Sequence, residues 1–315
     1  MTMDVYHSLE DVPEERSRGR TVAIGVFDGV HRGHQEILRR AVSAARRLGA
    51  ACAAVTFYPH PEVVLRPRTA PRMLTLPERK AELIAELGVD ELVILPFDRR
   101  FAALSPEAFC TEVLSERLGA REVFVGENFR FGRDGLGSPA DLSAYGGAHG
   151  FQVTPVSLTR ADGEVISSTR IRTLLASGRV AAAADLLGRP HRVQGQVVSG
   201  AGRGRTLDAP TANLLIPREL ALPRKGVYVT RSFLEDGTAW PSVTSIGTNP
   251  TFEKDRKVRV ETLLLDFAGE LYGSRLEVDF LERIRSQRRF VDPASLAARI
   301  SEDVHLARKY FFEGA

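Results

Sequence analysis

Cysteine, charge of one sign and long apolar runs are all scarce in this chain. Cys52 and Cys110 are the only cysteines among its 315 residues, and neither has a second cysteine at a spacing typical of metal or redox sites. We therefore expect two reduced core thiols and a cytoplasmic location. The first twenty residues carry five acidic side chains and no apolar core, which predicts no secretory signal, and no later run is long enough to span a bilayer.

Positive and negative charges are nearly balanced. The 43 basic and 40 acidic side chains give a net charge of +3, and the basic ones are nearly all arginine and scattered along the chain. A nucleic-acid-binding protein more often has a concentrated basic face, so we expect neither nucleic acid nor a membrane as a partner. The sequence leaves a homo-oligomer open. No self-complementary patch can be located in it.

The composition is that of a folded protein with room for two domains, with 43% apolar and 26% charged residues. In the first part, β-like runs alternate with helical runs, as expected of a parallel sheet with helices on its faces, and we assign residues 1–186 to this α/β domain. Helices are predicted to begin at Pro77 and at Ser105-Pro106-Glu107, the second one stopping at Gly119. The strand candidates are residues 21–27, 51–57, 91–95 and 122–125.

After Gly188-Arg189-Pro190 the pattern changes to short β-branched runs separated by glycine, proline and asparagine. The spacing predicts a small antiparallel barrel or sandwich in residues 187–315. Asp292-Pro293 is a good cap and first-turn pair, and it predicts a closing helix. The strand candidates here are residues 192–198, 227–233, 258–267 and 276–281.

A glycine-rich turn with two histidines follows the first strand candidate. The sequence Gly-Val-Phe-Asp-Gly-Val-His-Arg-Gly-His spans residues 25–34 and opens an amphipathic helix. Positive partial charge and exposed backbone N–H groups collect at such a helix start, and the two imidazoles add to them, so the segment suits a polyphosphate. The residues expected at the phosphates are Gly25, Phe27, Asp28, Gly29, His31 and His34.

Zinc is the alternative for this histidine pair, since histidines three apart on a helix are also metal ligands or hydrogen-bonded surface groups. A structural zinc site needs four ligands and a catalytic one three, and the only nearby candidate for a further ligand is His60. The strand, turn and helix together favour phosphate over zinc.

Two later segments of the α/β domain are further candidates. Ser167-Ser168-Thr169-Arg170-Ile171-Arg172 has the pattern of a helix N-terminus, where capping alone could explain the hydroxyl side chains. Its arginines favour phosphate, because guanidinium pairs bidentately with phosphate oxygens. Asn128 and Phe129 follow an apolar strand candidate, and they could orient a planar ligand or form a packed turn.

The second domain contains a glycine-rich loop before Pro210-Thr211-Ala212-Asn213. Backbone N–H groups of such a loop can close on phosphates, but the Lys-Ser/Thr ending of a Walker loop is absent. A flexible barrel hairpin explains the glycines equally well. The loop residues in question are Gly200, Gly202, Arg203, Gly204 and Arg205.

Taken together, these motifs resemble the family of bacterial bifunctional riboflavin kinase/FMN adenylyltransferases, and the resemblance covers the chain from about Thr21. The family signature HxGH matches residues 31–34, TFxPHP matches residues 56–61 and SSTxIR matches residues 167–172. The resemblance implies an N-terminal nucleotidyltransferase-like parallel α/β domain, followed by a small antiparallel β-barrel of the riboflavin kinase type.

For the first domain the resemblance implies adenylyl transfer from ATP, in which the phosphate of FMN attacks the α-phosphorus and pyrophosphate leaves. It implies that His31 and His34 contact the ATP phosphates and that Mg2+ shares their charge. It also implies phosphate contacts from Ser167, Ser168, Thr169 and Arg172, and flavin contacts from His60, Asn128 and Phe129. In the second domain it implies a flavin contact from Arg285.

For the second domain it implies phosphorylation of riboflavin by ATP, with the glycine-rich loop at the nucleotide. Thr211 and Asn213 match the residues that would hold Mg2+ and ATP phosphate through oxygen ligands. Glu261 matches the base that takes the proton of the ribityl 5′-hydroxyl. Without the resemblance, Glu261 is an outward residue on an alternating strand.

The departures from the family pattern lie in the second domain. Asp208-Ala209 stands where a glycine and an aromatic residue are usual, Leu263 replaces a histidine and Gln287 replaces a glutamate. Two alternatives therefore accompany the bifunctional enzyme. One is an FMN adenylyltransferase, or a paralogue for a modified flavin, with an impaired kinase barrel. The other is a non-catalytic flavin or nucleotide sensor, which is less favoured because a sensor does not need several contacts to a phosphate transition state.

Overall fold

The computed structural model describes residues 3–13, 19–198, 211–248, 258–288 and 290–313. The contacts of the chain divide it into two units, Met1–Ser168 and Thr169–Ala315. The predicted functional boundary at residue 186 stays a prediction. By contacts, the two helices just before it belong with the barrel that follows.

The first unit is built on a six-stranded parallel sheet. Its strands lie in the order β1-β4-β3-β2-β5-β6, and every neighbouring pair is parallel. The two strands that the sequence did not predict are the edge strands, which are short and poorly buried and so lack an apolar run. The strands are β1 (Asp4–Tyr6), β2 (Arg20–Ile24), β3 (Ala51–Tyr58), β4 (Glu91–Pro96), β5 (Ala120–Gly126) and β6 (Gln152–Val156).

Helices cover both faces of this sheet, as predicted. On one face α1 and α3 pack through residues such as Leu38 and Ile84. The other face is covered by residues such as Leu114 and Leu142. The helical segments are α1 (Arg32–Leu48), α2 (Pro61–Leu65), α3 (Pro77–Ala85), α4 (Arg99–Ala102), α5 (Pro106–Ala108), which continues as a π-helix (Phe109–Arg117), a 3-10 turn (Arg133–Gly135) and α6 (Pro139–His149). A small hairpin, β7 (Arg160–Ala161) and β8 (Glu164–Val165), completes the unit.

The strand order places a ligand crevice in this unit. β2 lies between β3 and β5, so the chain leaves β2 toward one side of the sheet and reaches β5 on the other. In open α/β sheets, ligands bind at the carboxyl ends of strands where the order reverses in this way. The segments that follow β2 and β5 are the turn from Gly25 to His31 and the residues after Gly126.

The second unit is a closed six-stranded antiparallel barrel with helices. The strand order is β10-β13-β12-β11-β14-β9, and the two strands missed from the sequence are the short β10 and the proline- and glycine-containing β12. The elements are α7 (Ser168–Ser177), α8 (Val180–Leu187), β9 (His191–Val198), β10 (Ala212–Leu215), β11 (Gly226–Phe233), β12 (Ala239–Thr248), β13 (Val258–Leu264), β14 (Arg275–Arg285) and α9 (Pro293–Phe312). The predicted fold class is confirmed.

The predicted closing helix begins where the sequence placed it. Asp292 caps α9, and its Oδ1 accepts a hydrogen bond 2.7 Å long from the backbone N–H of Ser295. Ala307 of α9 packs in an apolar cluster with Val227 and Val229 of β11. Among the residues described, none of the helices has the length and apolar character needed to cross a membrane.

Candidate active sites

The turn between β2 and α1 has an unusual backbone. φ is 48° at Phe27, 83° at Gly29 and 39° at Val30, in the left-handed region that side chains rarely adopt. The predicted strand ran to Phe27, but β2 ends at Ile24 because such angles are incompatible with an extended chain. Phe27 and Val30 keep these angles only because the surrounding structure holds them.

One set of contacts anchors the turn through Asp28. Its carboxylate Oδ1 accepts hydrogen bonds from the backbone N–H groups of Leu74 and Thr75, at 2.8 and 3.2 Å. The N–H of Gly29 donates to Oγ1 of Thr75 at 3.1 Å. Asp28 is only 3% exposed. The side chain of Asp28, which we expected at the phosphates, therefore holds the shape of the turn.

A second set of contacts holds the carbonyl of Val26, from side chains of β3 and α3. Oγ1 of Thr56 donates to this oxygen at 2.9 Å, and Nζ of Lys80 donates to it at 2.8 Å. Burial lowers the pKa of Lys80 to about 8, although the nearby Asp28 carboxylate opposes the shift. Sequence reasoning missed Lys80. The available signal was its position three residues before Leu83, on the buried face of α3.

The two histidines lie together at the start of α1. His31 is the N-cap residue, and its Nδ1 accepts a hydrogen bond from the N–H of His34 at 3.3 Å. The two rings stack with centroids 3.6 Å apart, and the ring of Phe27 meets His34 edge-on at 5.4 Å. Because Nδ1 of His31 is an acceptor, the neutral ring carries its proton on Nε2. The imidazole thus keeps an N–H donor at the positive end of the helix.

Gly25 is required by the same arrangement. A Cβ atom at this position would lie 2.9 Å from the ring of Phe27, which folds back over the backbone. A larger residue at position 25 would displace the ring and, through it, the contact with His34.

Asn128 and Phe129 lie at the end of β5. A Cβ at Gly126 would be 3.2 Å from Oδ1 of Asn128 and 3.8 Å from Cδ1 of Ile37 in α1, so the Asn128 amide folds back over the end of β5. Phe129 stacks on the buried Phe131 with the rings 10° from parallel and their centroids 5.7 Å apart. A partly exposed aromatic face therefore lies on the core, with a polar amide beside it.

Ser168, the last residue of the first unit, contacts the turn. Its Oγ donates to the backbone carbonyl of Asp28 at 2.9 Å. Thr169 and Arg172 belong to the second unit and lie in the N-terminal half of α7, where Ile171 is buried. Their contact with phosphates stays a prediction. His60 caps α2, and its Nδ1 accepts from the N–H of Glu62 at 3.2 Å.

In the barrel, three polar residues form a row across adjacent strands. Asn213 on β10 lies directly opposite Glu261 on β13, and Glu261 lies directly opposite Ser245 on β12. Directly opposite residues share a face of the sheet, and all three are partly exposed, whereas Leu214 and Val260 beside them are buried. Thr211 precedes β10. The row presents amide, carboxylate and hydroxyl oxygens together.

Comparisons with known proteins match the two parts of the chain that carry these residues. The FAD synthetase family model matches residues 13–170, and the riboflavin kinase family model matches residues 187–311. The chain belongs to the bifunctional riboflavin kinase/FMN adenylyltransferase family, and the predicted resemblance is confirmed. Proteins of that name from Pseudomonas fluorescens and Escherichia coli K12 are 39% and 37% identical to it, over 97% of this chain and 97% and 96% of theirs.

One solved structure is similar to the chain over nearly its full length. A crystal structure from Streptococcus pneumoniae, described as a macrolide-efflux protein, has a TM-score of 0.87 and 31% identity to this chain, covering 98% of it and 99% of that chain. The chain is thus similar in length and architecture to a protein that carries a different name.

One of the residues expected to contact flavin is paired with a carboxylate in the structure. The guanidinium of Arg285 is paired with Asp303 of α9, with Nε–Oδ1 and Nη2–Oδ2 distances of 2.8 and 2.6 Å. Arg285 therefore anchors the closing helix, and its contact with flavin stays a prediction. Gly200, Gly202, Arg203, Gly204 and Arg205 lie outside the described residues.

Two departures from the family pattern have a structural explanation. Leu263 packs in the apolar cluster beneath α9, where an ionisable histidine would lose hydration. Gln287 extends the polar row, since its Nε2 donates to Oγ of Ser245 at 3.2 Å and its amide occupies the space that a Cβ at Gly247 would need. One substitution thus supports packing, and the other places a neutral amide near Glu261.

Proposed function

We propose that this chain carries out both reactions of its family in turn. In the first, the ribityl 5′-hydroxyl of riboflavin takes the γ-phosphoryl group of ATP, giving FMN and ADP. In the second, FMN takes the adenylyl group of another ATP, giving FAD and pyrophosphate. The observation that carries the proposal is the pairing of Asn213 with Glu261, because it keeps a base and a metal ligand together in the half of the chain that departs from the family pattern.

FMN adenylylation is assigned to the turn after β2. An oxygen of the FMN phosphate forms a bond to the α-phosphorus of ATP as the bond from that phosphorus to the bridging oxygen of pyrophosphate breaks. No proton has to move, so the protein contributes alignment and charge stabilisation. The Nε2–H of His31, the imidazole of His34 and the backbone N–H groups at the start of α1 would hold the phosphates as charge develops on pyrophosphate.

The flavin would lie at the neighbouring strand end. The ring of Phe129, stacked on Phe131, offers a surface for a planar isoalloxazine, and the amide of Asn128 lies over Gly126 at the end of β5. His60 follows the carboxyl end of β3 and keeps an Nε2–H donor by the same argument as His31. These contacts are proposals for FMN, with the phosphate of FMN toward the histidines.

Phosphorylation of riboflavin is assigned to the outer face of the barrel. Glu261 would accept the proton of the 5′-hydroxyl as that oxygen bonds to the γ-phosphorus and the bond to ADP breaks. The oxygens of Thr211 and Asn213 suit Mg2+, which takes hard oxygen ligands and keeps several waters. The ion would supply positive charge to the transferred phosphate. Asn213 and Glu261 would act side by side because they are paired in the sheet.

One assay tests the proposal. Purified protein is incubated with riboflavin, ATP and Mg2+, or with FMN, ATP and Mg2+, and flavins are separated by chromatography. We expect FMN and then FAD from riboflavin, and FAD from FMN. Formation of FAD from supplied FMN without any conversion of riboflavin would leave only the adenylyltransferase. Tight flavin binding without turnover in either mixture would support the sensor instead.

The location and assembly of the enzyme are proposed from composition alone. We propose that it acts in the cytoplasm on small-molecule substrates, with residues 1–186 and 187–315 as its two functional domains. Self-association stays a prediction.

A further inference from the structure

Lys80 is a buried cation that the reactions above leave unassigned. It is the only lysine in residues 1–224, where every other permanently cationic side chain is arginine. Only 7% of it is exposed. A buried ammonium is costly unless something compensates it, so its presence beneath the nucleotide turn calls for a physical reason.

The contacts of Lys80 converge on one peptide group. Nζ donates to the carbonyl of Val26 at 2.8 Å and lies 3.3 Å from Oγ1 of Thr56, which donates to the same carbonyl at 2.9 Å. Val26 immediately precedes Phe27, where the backbone enters its left-handed stretch. The ammonium therefore supports the turn at its first strained residue.

We propose that Lys80 is a positioning residue for FMN adenylylation, whose ammonium fixes the Val26 carbonyl and places a positive charge behind the segment that binds the phosphates of ATP. This inference rests on the proposed function of that turn. Water is excluded on the core side, so the charge acts on a bound triphosphate with little screening. The negative charge of Asp28 partly offsets it, and the Asp28 carboxylate also accepts hydrogen bonds from the backbone N–H groups of Leu74 and Thr75.

The titration of Lys80 predicts that a rise in pH stabilises the fold and weakens the binding of ATP. Its pKa is about 8 because burial disfavours the ammonium, against 10.5 for an ordinary lysine. Between pH 8 and pH 10.5 the unfolded chain therefore binds more protons than the folded chain. The free energy of unfolding rises with pH over this range. The positive charge behind ATP is lost over the same window, so the KM for ATP in FMN adenylylation should rise as the fold becomes more stable.

Other titratable groups have to be separated from Lys80. The charged group that faces it is Asp28, on the turn; β3 presents Thr56, which does not titrate. The nearby segments and its own helix contribute His31, His34, Glu78, Arg79 and Glu82. A variant that lacks the amine shows how much of the pH dependence of stability, and of the KM for ATP, is due to Lys80.

The test compares Lys80→Met with wild type, and uses Lys225→Met as the control because Lys225 is exposed and lies in the barrel. Steady-state rates of FAD formation from FMN, and of FMN formation from riboflavin, are measured between pH 7 and 9.5, with thermal unfolding at each pH. For Lys80→Met at pH 7 we expect the KM for ATP in FAD formation to rise about tenfold, as loss of one charge near a polyphosphate does. We expect kcat to fall less, and the kinase KM to stay unchanged.

The pH dependence supplies a second measurement that does not rely on the variant's folding. Wild-type KM for ATP should rise through pH 8 in FAD formation while the thermal midpoint increases, and Lys80→Met should show neither trend. A loss of kcat at unchanged KM, or a wild-type KM that is flat across pH 8, would overturn the role of Lys80. Absence of FAD formation by the wild type would instead overturn the proposed function itself.

Discussion

Glu261 lies directly opposite Asn213 across β13 and β10, on the outer face of the barrel. The pairing brings a carboxylate and an amide oxygen from distant parts of the chain to one point. Val227, which is paired with Ser245 in the next strand, packs beneath α9, so the closing helix borders the polar row. A carboxylate, an amide and an apolar edge thus adjoin on one face, which suits the phosphorylation of riboflavin proposed there.

This relationship predicts the effect of Glu261→Gln. The amide cannot accept the proton of the 5′-hydroxyl, so we expect FMN formation to fall roughly a hundredfold or more. FAD formation from supplied FMN should stay within about twofold of wild type, because that reaction needs no base. Glu270→Gln, at an exposed position, is the matched control. Equal losses of both activities in a folded protein would contradict two independent sites.

Two variants of His31 distinguish its role as the cap of α1 from its role as an Nε2–H donor. His31→Asn keeps an N-cap acceptor and removes the Nε2–H donor, whereas His31→Ala removes both. We expect both variants to form FAD about a hundredfold more slowly, as after loss of one transition-state donor. Only His31→Ala should also unfold more easily, by about 1 kcal/mol. The control is His7→Ala, and a His31→Asn variant with normal FAD formation would remove His31 from the mechanism.

The pair of Arg285 with Asp303 predicts a stability effect in the barrel. Asp303→Asn leaves a mostly buried guanidinium without its anion, and we expect a loss of roughly 2–4 kcal/mol in denaturant unfolding. Asp266→Asn breaks an exposed pair with Arg308 and should cost under about 1 kcal/mol. If the two variants are equally stable, Arg285 does not anchor α9 and is available to flavin.

The two cysteines should be inert in the folded protein. Burial raises the pKa of Cys52 and of Cys110 to about 12, and neither side chain is exposed. At pH 8 the thiolate that reacts with dithionitrobenzoate is therefore scarce and inaccessible. We expect no thiol to be titrated in the native protein and two per chain in guanidinium chloride. Rapid labelling of the native chain would show that a thiol-bearing segment opens.

Local features of the candidate sites could be predicted from the sequence. The strand, turn and helix around His31 are contiguous, and capping and hydrophobic periodicity act over a few residues, so the start of α1 was predicted correctly. The end of β2 was predicted too late. The left-handed angles of Phe27 and Val30 arise from contacts with residues such as Thr75 and Lys80, which lie far along the chain.

By itself the sequence determined the central strands of the sheet, most strands of the barrel, and the starts of the helices at His31, Pro77, Ser105 and Asp292. The tertiary structure alone decided that Lys80 lies under Val26, that Arg285 binds Asp303, and that Glu261 meets Asn213. The physical reason is the separation in sequence over which each interaction acts. Helix period and capping are set by neighbours in sequence, whereas strand order and register depend on pairing and burial summed over the whole unit.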